Sequence, residues 1–238
     1  MSNDTTFEIT FRLSGTSLPT VEEQYLSLWR LAQSLQSAGL PIDGWYPPAE
    51  TPEASMLNKA FDSAGPTPAA IAMAKAAGET YPGVRGLGAW NGIEGDGGIV
   101  FTDNLVVAGP CTCSVDSTGI PGLQNPKTVA GVVADVTSIW PASSIQVGPY
   151  KYFSQQQVFE HRVGAGWMLY LPRTLTARQV PEAGALVPVM EDRRQKGTIV
   201  VSIADETFSP ENPQHVKVAN SIEVRLADQG LLPLFTDL

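Results

Sequence analysis

The chain has 238 residues, of which 43% are hydrophobic and 16% charged, and its formal net charge is −9 at pH 7. A chain of this length and composition buries enough apolar surface to fold without disulfides or metal clips. The negative charge excludes nucleic-acid binding by phosphate neutralisation, because that mode requires clustered lysine and arginine. An acidic surface either steers a basic protein partner or serves solubility alone, and the second is the more common reason.

Sorting signals and disulfides are not expected from the sequence. Residues 1–10 contain Asp4 and Glu8 and lack a basic segment followed by an apolar run, so we expect no signal peptide. No apolar run reaches the roughly 18 residues of a membrane span. Cys111 and Cys113 are one residue apart on a predicted strand, where same-face neighbours lie about 7 Å apart, so two free thiols are expected. These observations predict a cytoplasmic protein without membrane contact.

The amino-terminal segment predicts a strand followed by a helix. Apolar and polar residues alternate from Thr6 to Leu13, which is typical of a strand with one buried and one solvated face. Thr20 and Glu23 have the spacing of a capping box, and apolar residues then recur at helical intervals up to Gly39. An amphipathic helix therefore follows the first strand.

The next segment predicts less regular structure. Residues 41–52 are rich in proline and aromatic residues and predict an irregular crossing, followed by a short helix at 53–61. Thr67 and Pro68 have the pattern of an N-cap and first helical position. They begin an alanine-rich helix that ends near Gly78.

Glycine turns and apolar runs predict the strands of the sheet. Residues 83–117 alternate glycine clusters with apolar runs, which predicts two or three antiparallel strands. Further strands are predicted at 144–147, 167–171 and 198–203, with a weaker one at 185–190.

Two further helices begin at Asn-Pro pairs. Asn125 and Asn212 each precede a proline, which is the pattern of an N-cap followed by a first-turn proline. Apolar residues follow each pair at helical spacing until Pro141 ends the first helix and Gly230 the second.

The order of these elements predicts an α+β fold. We expect a mixed or largely antiparallel sheet with helices packed on it, and a single compact unit over residues 1–238. A weak subdivision is possible near residues 119–126, which are rich in glycine and proline.

Common catalytic and cofactor-binding patterns are absent from the sequence. Gly86-Leu-Gly88 lacks the third glycine of a dinucleotide site, so a turn is the better interpretation, and no P-loop or nucleophile elbow occurs. His161 and His215 are far apart, and the two cysteines have no companion pair, so a zinc site is not expected. We predict no catalytic residue, no cofactor and no metal, and interpret His215 as a solvated side chain at a helix start.

Aromatic residues in or beside predicted loops are candidate contacts for a protein partner, although each of them can equally fill the core. The acidic, glycine-rich turn from Glu94 to Gly98 combines mobility, negative charge and a nearby tryptophan, and is the best interface candidate. The predicted partner-binding set is Trp90, Asn91, Glu94, Asp96, Tyr150 and Phe153.

Several phrases, in order along the chain, resemble the immunity protein 52 family. They are Trp90-Asn91-Gly92, Ile139-Trp140-Pro141, the run GAGWMLYLP at 164–172, and the run from Asn212 to Glu223. The resemblance spans nearly the whole chain. It implies an immunity protein that binds and neutralises a cognate toxin of a bacterial polymorphic toxin system. The toxins of this family are commonly restriction-endonuclease-type nuclease domains termed Tox-REase-5, and some are delivered by type VI secretion.

Two other functions are compatible with the residues. One is a small cytosolic hydrolase or transferase that uses His161 or His215 with a carboxylate, and the other is a structural adaptor protein. The resemblance implies no catalytic residues, in agreement with the absence of catalytic patterns, and favours the immunity protein.

Overall fold

The computed structural model describes residues 4–79 and 81–238. The start of the segment predicted to lack a signal peptide, residues 1–3, therefore lies outside the described residues. Short 3-10 helices at Leu35–Ala38, Ile42–Gly44, Pro121–Gln124 and Phe235–Asp237 accompany the main elements. In chain order these are β1 (Asp4–Phe11), α1 (Val21–Ser34), α2 (Pro52–Ser55), β2 (Phe61–Asp62), β3 (Gly65–Pro66), α3 (Pro68–Ala77), β4 (Val84–Trp90), β5 (Ile99–Val106), β6 (Cys111–Thr118), α4 (Pro126–Ile139), β7 (Ala142–Gly148), α5 (Tyr150–Gln155), β8 (Met168–Leu171), β9 (Ala185–Glu191), β10 (Arg194–Val201) and α6 (Pro213–Asp228).

Eight strands form one sheet in the order β4-β5-β6-β1-β7-β8-β10-β9, and β2 and β3 form a separate two-stranded pair. Every pair of neighbours in the large sheet is antiparallel. The first strand lies inside the sheet, where Phe7 is opposite Val115 of β6 on one side and Val147 of β7 on the other. The predicted α+β class, with helices packed on a largely antiparallel sheet, is confirmed.

Local sequence signals fix the helix ends. The Thr20 hydroxyl accepts a hydrogen bond from the Glu23 backbone N–H at 3.2 Å, and the Glu23 carboxylate accepts one from the Thr20 N–H at 2.7 Å. Gly39 follows in the left-handed region, with φ 89°. The Asn125 side chain accepts hydrogen bonds from the backbone N–H groups of Lys127 and Thr128 at the start of α4. The predicted caps are therefore confirmed, because each depends only on residues a few positions apart.

Two local predictions were wrong. The helix expected at 53–61 ends at Ser55, because the Ala60 N–H pairs with the Trp45 carbonyl and Phe61 enters the core as part of β2. The aromatic residues from Tyr150 onwards were expected in or beside a loop, but they form α5. This short helix begins directly after Pro149 and carries one aromatic ring inward.

Helices cover one face of the sheet completely and the other face only in part. Phe7, Ile9 and Phe11 lie on the fully covered face and are buried. On the other face, β7 and β8 are buried, and the side chain of Gln146 accepts a hydrogen bond from the Gly164 N–H of the segment after α5. In contrast, β5 and β6, and β1 as far as Glu8, alternate between buried and accessible residues. Half of this second face is therefore open to solvent.

The two thiols lie on the covered face. Cys111 and Cys113 are both buried and free, so the prediction of an unbridged pair is confirmed. Burial raises the pKa of both thiols. Buried neutral thiols pack as small apolar groups.

The segment predicted as a weak subdivision is packed closely against the amino-terminal half. A Cβ at Gly122 would overlap the carbonyl oxygen and Cα of Ala38, and Leu123 beside it is fully buried. Strands from both sides of residues 119–126 also join one sheet through β1. That residues 1–238 form a single compact unit stays a prediction.

This close approach gives a stability prediction. Gly122→Ala should destabilise the protein by about 2 kcal/mol, because the clash is with backbone atoms that cannot rotate away. Gly131→Ala is the matched control, since Gly131 is exposed within α4 and a Cβ there meets nothing within 4 Å. That control should gain up to about 1 kcal/mol from helix propensity. Urea unfolding followed by circular dichroism measures both, and equal effects would contradict the packing argument.

Candidate protein-binding site

A cavity of about 370 Å³ opens at the end of the sheet where β1 begins. Its walls come from the amino end of β1, the carboxyl ends of β4 and β6, the amino end of β5 and the start of α5. Antiparallel pairing brings these ends together although they are far apart in the chain. The lining residues include Asp4, Thr6, Trp90, Ile93, Val100, Asp116, Thr118 and Tyr150.

Exposed apolar side chains surround this cavity. Tyr150 is 69% exposed, Ile93 50% and Val100 42%. Aromatic and aliphatic side chains that are exposed together, within a polar surrounding, are typical anchors of protein interfaces. Val100 is exposed because it lies on the open half of the second sheet face.

Trp90 is held rigidly at the cavity wall. Its indole N–H donates to the Ser55 hydroxyl at 2.7 Å, and that hydroxyl donates to the Pro47 carbonyl at 2.6 Å. The Trp90 backbone also forms an isolated antiparallel bridge with Tyr46. The indole ring therefore presents a fixed, half-exposed edge, which lowers the entropic cost of contact with a partner.

Asn91 closes the acidic loop between β4 and β5. Its amide donates to the Gly97 carbonyl at 2.8 Å, and its carbonyl oxygen accepts from the N–H groups of Ile93 and Ile99 at 3.3 and 3.1 Å. The Asp96 carboxylate folds against Gly119, where a Cβ would overlap it. These contacts link both ends of the loop to each other, and the mobility expected from its glycines stays a prediction.

Uncompensated negative charge surrounds the cavity. Glu8 and Asp116 point from β1 and β6 into the open half of the sheet face, and both are exposed. Partial desolvation by neighbouring residues, and then the charge of Asp116, raise the pKa of Glu8. Within the part of the chain that the structure describes, Glu8, Glu94, Asp96 and Asp116 form no ion pair. A cationic partner would therefore meet charge that is not yet neutralised.

The structure brings together part of the predicted partner-binding set. Trp90 and Tyr150 line the same cavity, and the exposed Glu94 lies on the loop beside it. Asn91 and Asp96 mainly hold that loop. Phe153 does not line the cavity, because its ring packs over Gly148, Gly164 and Gly166. The sequence did not single out five other lining residues, which are Asp4, Thr6, Ile93, Val100 and Asp116. For Thr6 alone it gave an indication, because the alternating pattern from Thr6 onwards predicts a solvated face of β1.

A larger cavity of about 740 Å³ runs along the outer side of α6. Two ion pairs lie in or beside it, Arg225 with Glu182 at 2.7 Å and Lys151 with Glu211 at 3.1 Å, and the other two charged lining residues, Lys217 and Asp228, have opposite signs. Because its charges are of both signs, this groove offers less to a partner of one charge than the cavity beside Trp90.

The interpretation of His215 as a solvated side chain was wrong. The ring is 5% exposed and packs 5.7 Å from the ring of Phe208. Its Nδ1 accepts from the Ser209 N–H at 3.0 Å, so the proton lies on Nε2, which is 3.1 Å from the Glu206 carboxylate. Both ring nitrogens are used within the protein. His161 is exposed on the loop after α5.

Searches of residues 4–79 and 81–238 for two other kinds of feature were negative. No group of three or more His, Cys, Asp or Glu side chains is arranged to hold a metal ion. No helix in the described part is long and apolar enough to cross a bilayer.

Comparison with known proteins gives a family match in the carboxy-terminal part of the chain. Residues 122–234 match the family model of immunity protein 52. The resemblance predicted from the sequence phrases is thereby confirmed over α4 to α6. The matched region contributes Tyr150 to the cavity, whereas Trp90 and the acidic loop precede it.

One similar solved structure is the Pseudomonas aeruginosa T6SS protein PA0821. It is 10% identical with a TM-score of 0.48, and the alignment covers 92% of this chain and 72% of that chain. A likeness at this level carries no functional inference. No curated protein shows significant similarity to the chain.

Proposed function

We propose that this protein is an immunity protein that binds a cognate bacterial toxin in the cytoplasm and neutralises it without catalysis. The observation that carries the proposal is the immunity protein 52 match over residues 122–234. We further propose that the toxin is a restriction-endonuclease-type nuclease of the Tox-REase-5 class, delivered by type VI secretion. This finer part is supported by the ordered phrases of the sequence and by charge.

The cavity beside Trp90 is the proposed contact surface. A nuclease that binds DNA carries a basic surface, and Glu8, Glu94 and Asp116 supply the complementary negative charge. Long-range attraction would speed encounter, while Trp90 and Tyr150 would exclude water at the centre of the contact. An inhibitor of this kind needs only surface complementarity, so an absence of catalytic patterns is compatible with it.

The hydrolase or transferase alternative requires a histidine nitrogen that is free to move a proton. His215 uses Nδ1 to accept from Ser209 and directs Nε2 to Glu206. This arrangement supports a structural role for that histidine and weakens the enzyme alternative where it uses His215. The adaptor alternative differs from the proposal only in the identity of the partner.

Co-expression with the toxin domain encoded by the adjacent gene tests the proposed function. We expect growth to be restored and a stable complex to elute from size exclusion. A soluble toxin domain that neither binds nor is neutralised would contradict the proposal. A neighbouring gene that encodes a non-toxic protein bound by this chain would favour the adaptor.

Reversal of charge at the cavity should slow association with the toxin. Asp116→Lys changes one exposed side chain of the open sheet face, and we expect an association rate roughly tenfold lower at low salt, with a smaller salt dependence. Stopped-flow or surface plasmon resonance at several salt concentrations measures this effect.

Asp205→Lys provides the matched control, because Asp205 is equally exposed and follows β10, four strands from β6. It changes the net charge by the same amount at a different place. Equal slowing by both variants would mean that only net charge matters, and unchanged binding by Asp116→Lys would move the contact elsewhere.

A further inference from the structure

The turn that follows α2 carries two neighbouring apolar side chains that are exposed to solvent. Leu57 is 80% exposed, more than any other large apolar side chain among the described residues, and Met56 before it is 43% exposed. Single exposed apolar residues are common on protein surfaces, whereas contiguous ones mark binding sites. What this pair does therefore depends on the surface to which it belongs.

The turn is attached to the wall of the cavity beside Trp90. The Ser55 hydroxyl at the end of α2 accepts the hydrogen bond of the Trp90 indole at 2.7 Å. The sulfur of Met56 lies 3.4 Å from the position that a Cβ on Gly92 would take, and the exposed Ile93 follows Gly92 in the chain. The apolar turn therefore continues the exposed surface that begins at the cavity.

Local hydrogen bonds hold the turn in place. The Thr51 hydroxyl caps α2 by accepting from the Ala54 N–H at 3.2 Å. The backbone N–H groups of Met56 and Leu57 donate to the carbonyls of Pro52 and Ala54 at 3.0 and 3.4 Å. A surface that is already held in its binding conformation loses less conformational entropy when a partner binds. The two side chains are thus presented from an ordered backbone.

Charge distinguishes a second copy of the chain from a different partner. Glu94 and Asp116 beside the cavity form no ion pair within the described part of the chain. Two copies that met through this surface would bring their carboxylates towards one another, and like charges across an interface oppose binding. A partner that carries basic residues around an apolar hollow would instead gain from both the charge and the apolar side chains.

We propose that Met56 and Leu57 are a second anchor of the toxin contact, and that they insert into an apolar hollow of the toxin bordered by basic residues. This inference rests on the proposed function and adds to it the chemistry of the toxin surface. Charged groups at an interface act mainly on the rate of association, whereas buried apolar anchors act mainly on the rate of dissociation. The anchor and the acidic residues can therefore be told apart by kinetics.

Replacement of Leu57 by serine tests the anchor in the complex with the toxin domain encoded by the adjacent gene. Surface plasmon resonance should show dissociation roughly tenfold faster and an association rate that is about the same, because the charges are unchanged. Met56→Ser should also accelerate dissociation. Dissociation of the Leu57→Ser complex that is as slow as that of the unchanged chain would overturn the proposal.

Met190→Ser is the matched control for Met56→Ser. Met190 is likewise an exposed methionine, but it lies on β9, at the opposite edge of the sheet from β4. It should leave both rates unchanged, and an equal acceleration by the two methionine variants would overturn the proposal. Leu57→Ser should keep the urea midpoint of the unchanged chain, because a mostly exposed side chain contributes little to stability.

Hydrogen exchange in the complex locates the anchor without any substitution. Residues 51–58 should exchange more slowly when the toxin domain is bound. A complex that neutralises the toxin without this protection would overturn the anchor alone and leave the proposed function standing. Absence of any complex would contradict both. A dimer of the unchanged chain that Leu57→Ser converts to a monomer would show that the turn binds a second copy, and would also overturn the proposal.

Discussion

Replacement of Glu223 by alanine is expected to destabilise the protein by about 4 kcal/mol. Glu223 lies on α6 and is 1% exposed. Its Oε1 accepts from the Tyr152 hydroxyl at 2.6 Å and the Ala165 N–H at 2.8 Å, and its Oε2 accepts from the Val158 N–H at 2.8 Å. Alanine would leave the N–H groups of Val158 and Ala165 without an acceptor in a largely buried place, and each costs about 1–3 kcal/mol, whereas the Tyr152 hydroxyl keeps the Asn220 side-chain oxygen at 2.9 Å.

Urea unfolding at constant pH measures this loss as a lower midpoint with an unchanged slope. Glu223→Gln keeps the shape and one acceptor, so its loss should be about half as large. Glu211→Ala is the matched control, because it removes an exposed glutamate whose contact with Lys151 is a surface ion pair, and its midpoint should hardly change. An equal loss in Glu223→Ala and Glu211→Ala would show that the buried contacts contribute nothing.

The same three contacts explain why the second sheet face is only partly open. Hydrogen bonds from Glu223 connect α6 to the segment Val158–Ala165, and the side chain of Gln146 on β7 accepts a hydrogen bond from Gly164 in that segment. Together these bonds fix a cover over β7 and β8. The cover ends at β1, so the toxin contact proposed at Asp116 depends on where this cover stops.

Helix limits could be predicted from the sequence because their causes are local. The caps at Thr20 and Asn125 need only residues two or three positions away, and both were predicted from their pattern. The helix expected at 53–61 failed because Phe61 is drawn into the core by residues distant in sequence. The place of β1 inside the sheet likewise results from pairing with strands more than 100 residues away, which no local pattern specifies.

The candidate site shows the same limit. Trp90 and Tyr150 could be selected from the sequence because aromatic residues near turns are common interface anchors. Asp116 and Val100 could not, because they lie in ordinary strand patterns. Alternation indicates that a strand has two faces, but it does not show which half of the second face lacks a helix. His215 was predicted as solvated from its position near a helix start, and it is buried because the preceding loop folds back over it.

Asp103→Asn is expected to stabilise the protein at alkaline pH and to flatten its pH dependence. Burial raises the pKa of Asp103 from 3.8 to about 7, although the Gln24 hydrogen bond and the Arg85 charge act in the opposite direction. The other titratable groups that its charge affects are the buried thiols of Cys111 and Cys113 on β6. Between about pH 4 and pH 7 the folded protein keeps a proton that the unfolded chain releases, so stability falls as pH rises through this window.

Above pH 7 the cost of the buried charge is complete, at about 4 kcal/mol for this change of pKa. Asparagine removes that cost but buries an amide in its place at a cost of about 2 kcal/mol, so the variant should be more stable by about 2 kcal/mol at pH 8 and less stable by about 2 kcal/mol near pH 4. Urea midpoints from pH 4.5 to 8.5 measure the difference, with the exposed Asp205→Asn as control. Urea midpoints of Asp103→Asn and of the unchanged chain that vary with pH in parallel would contradict the prediction.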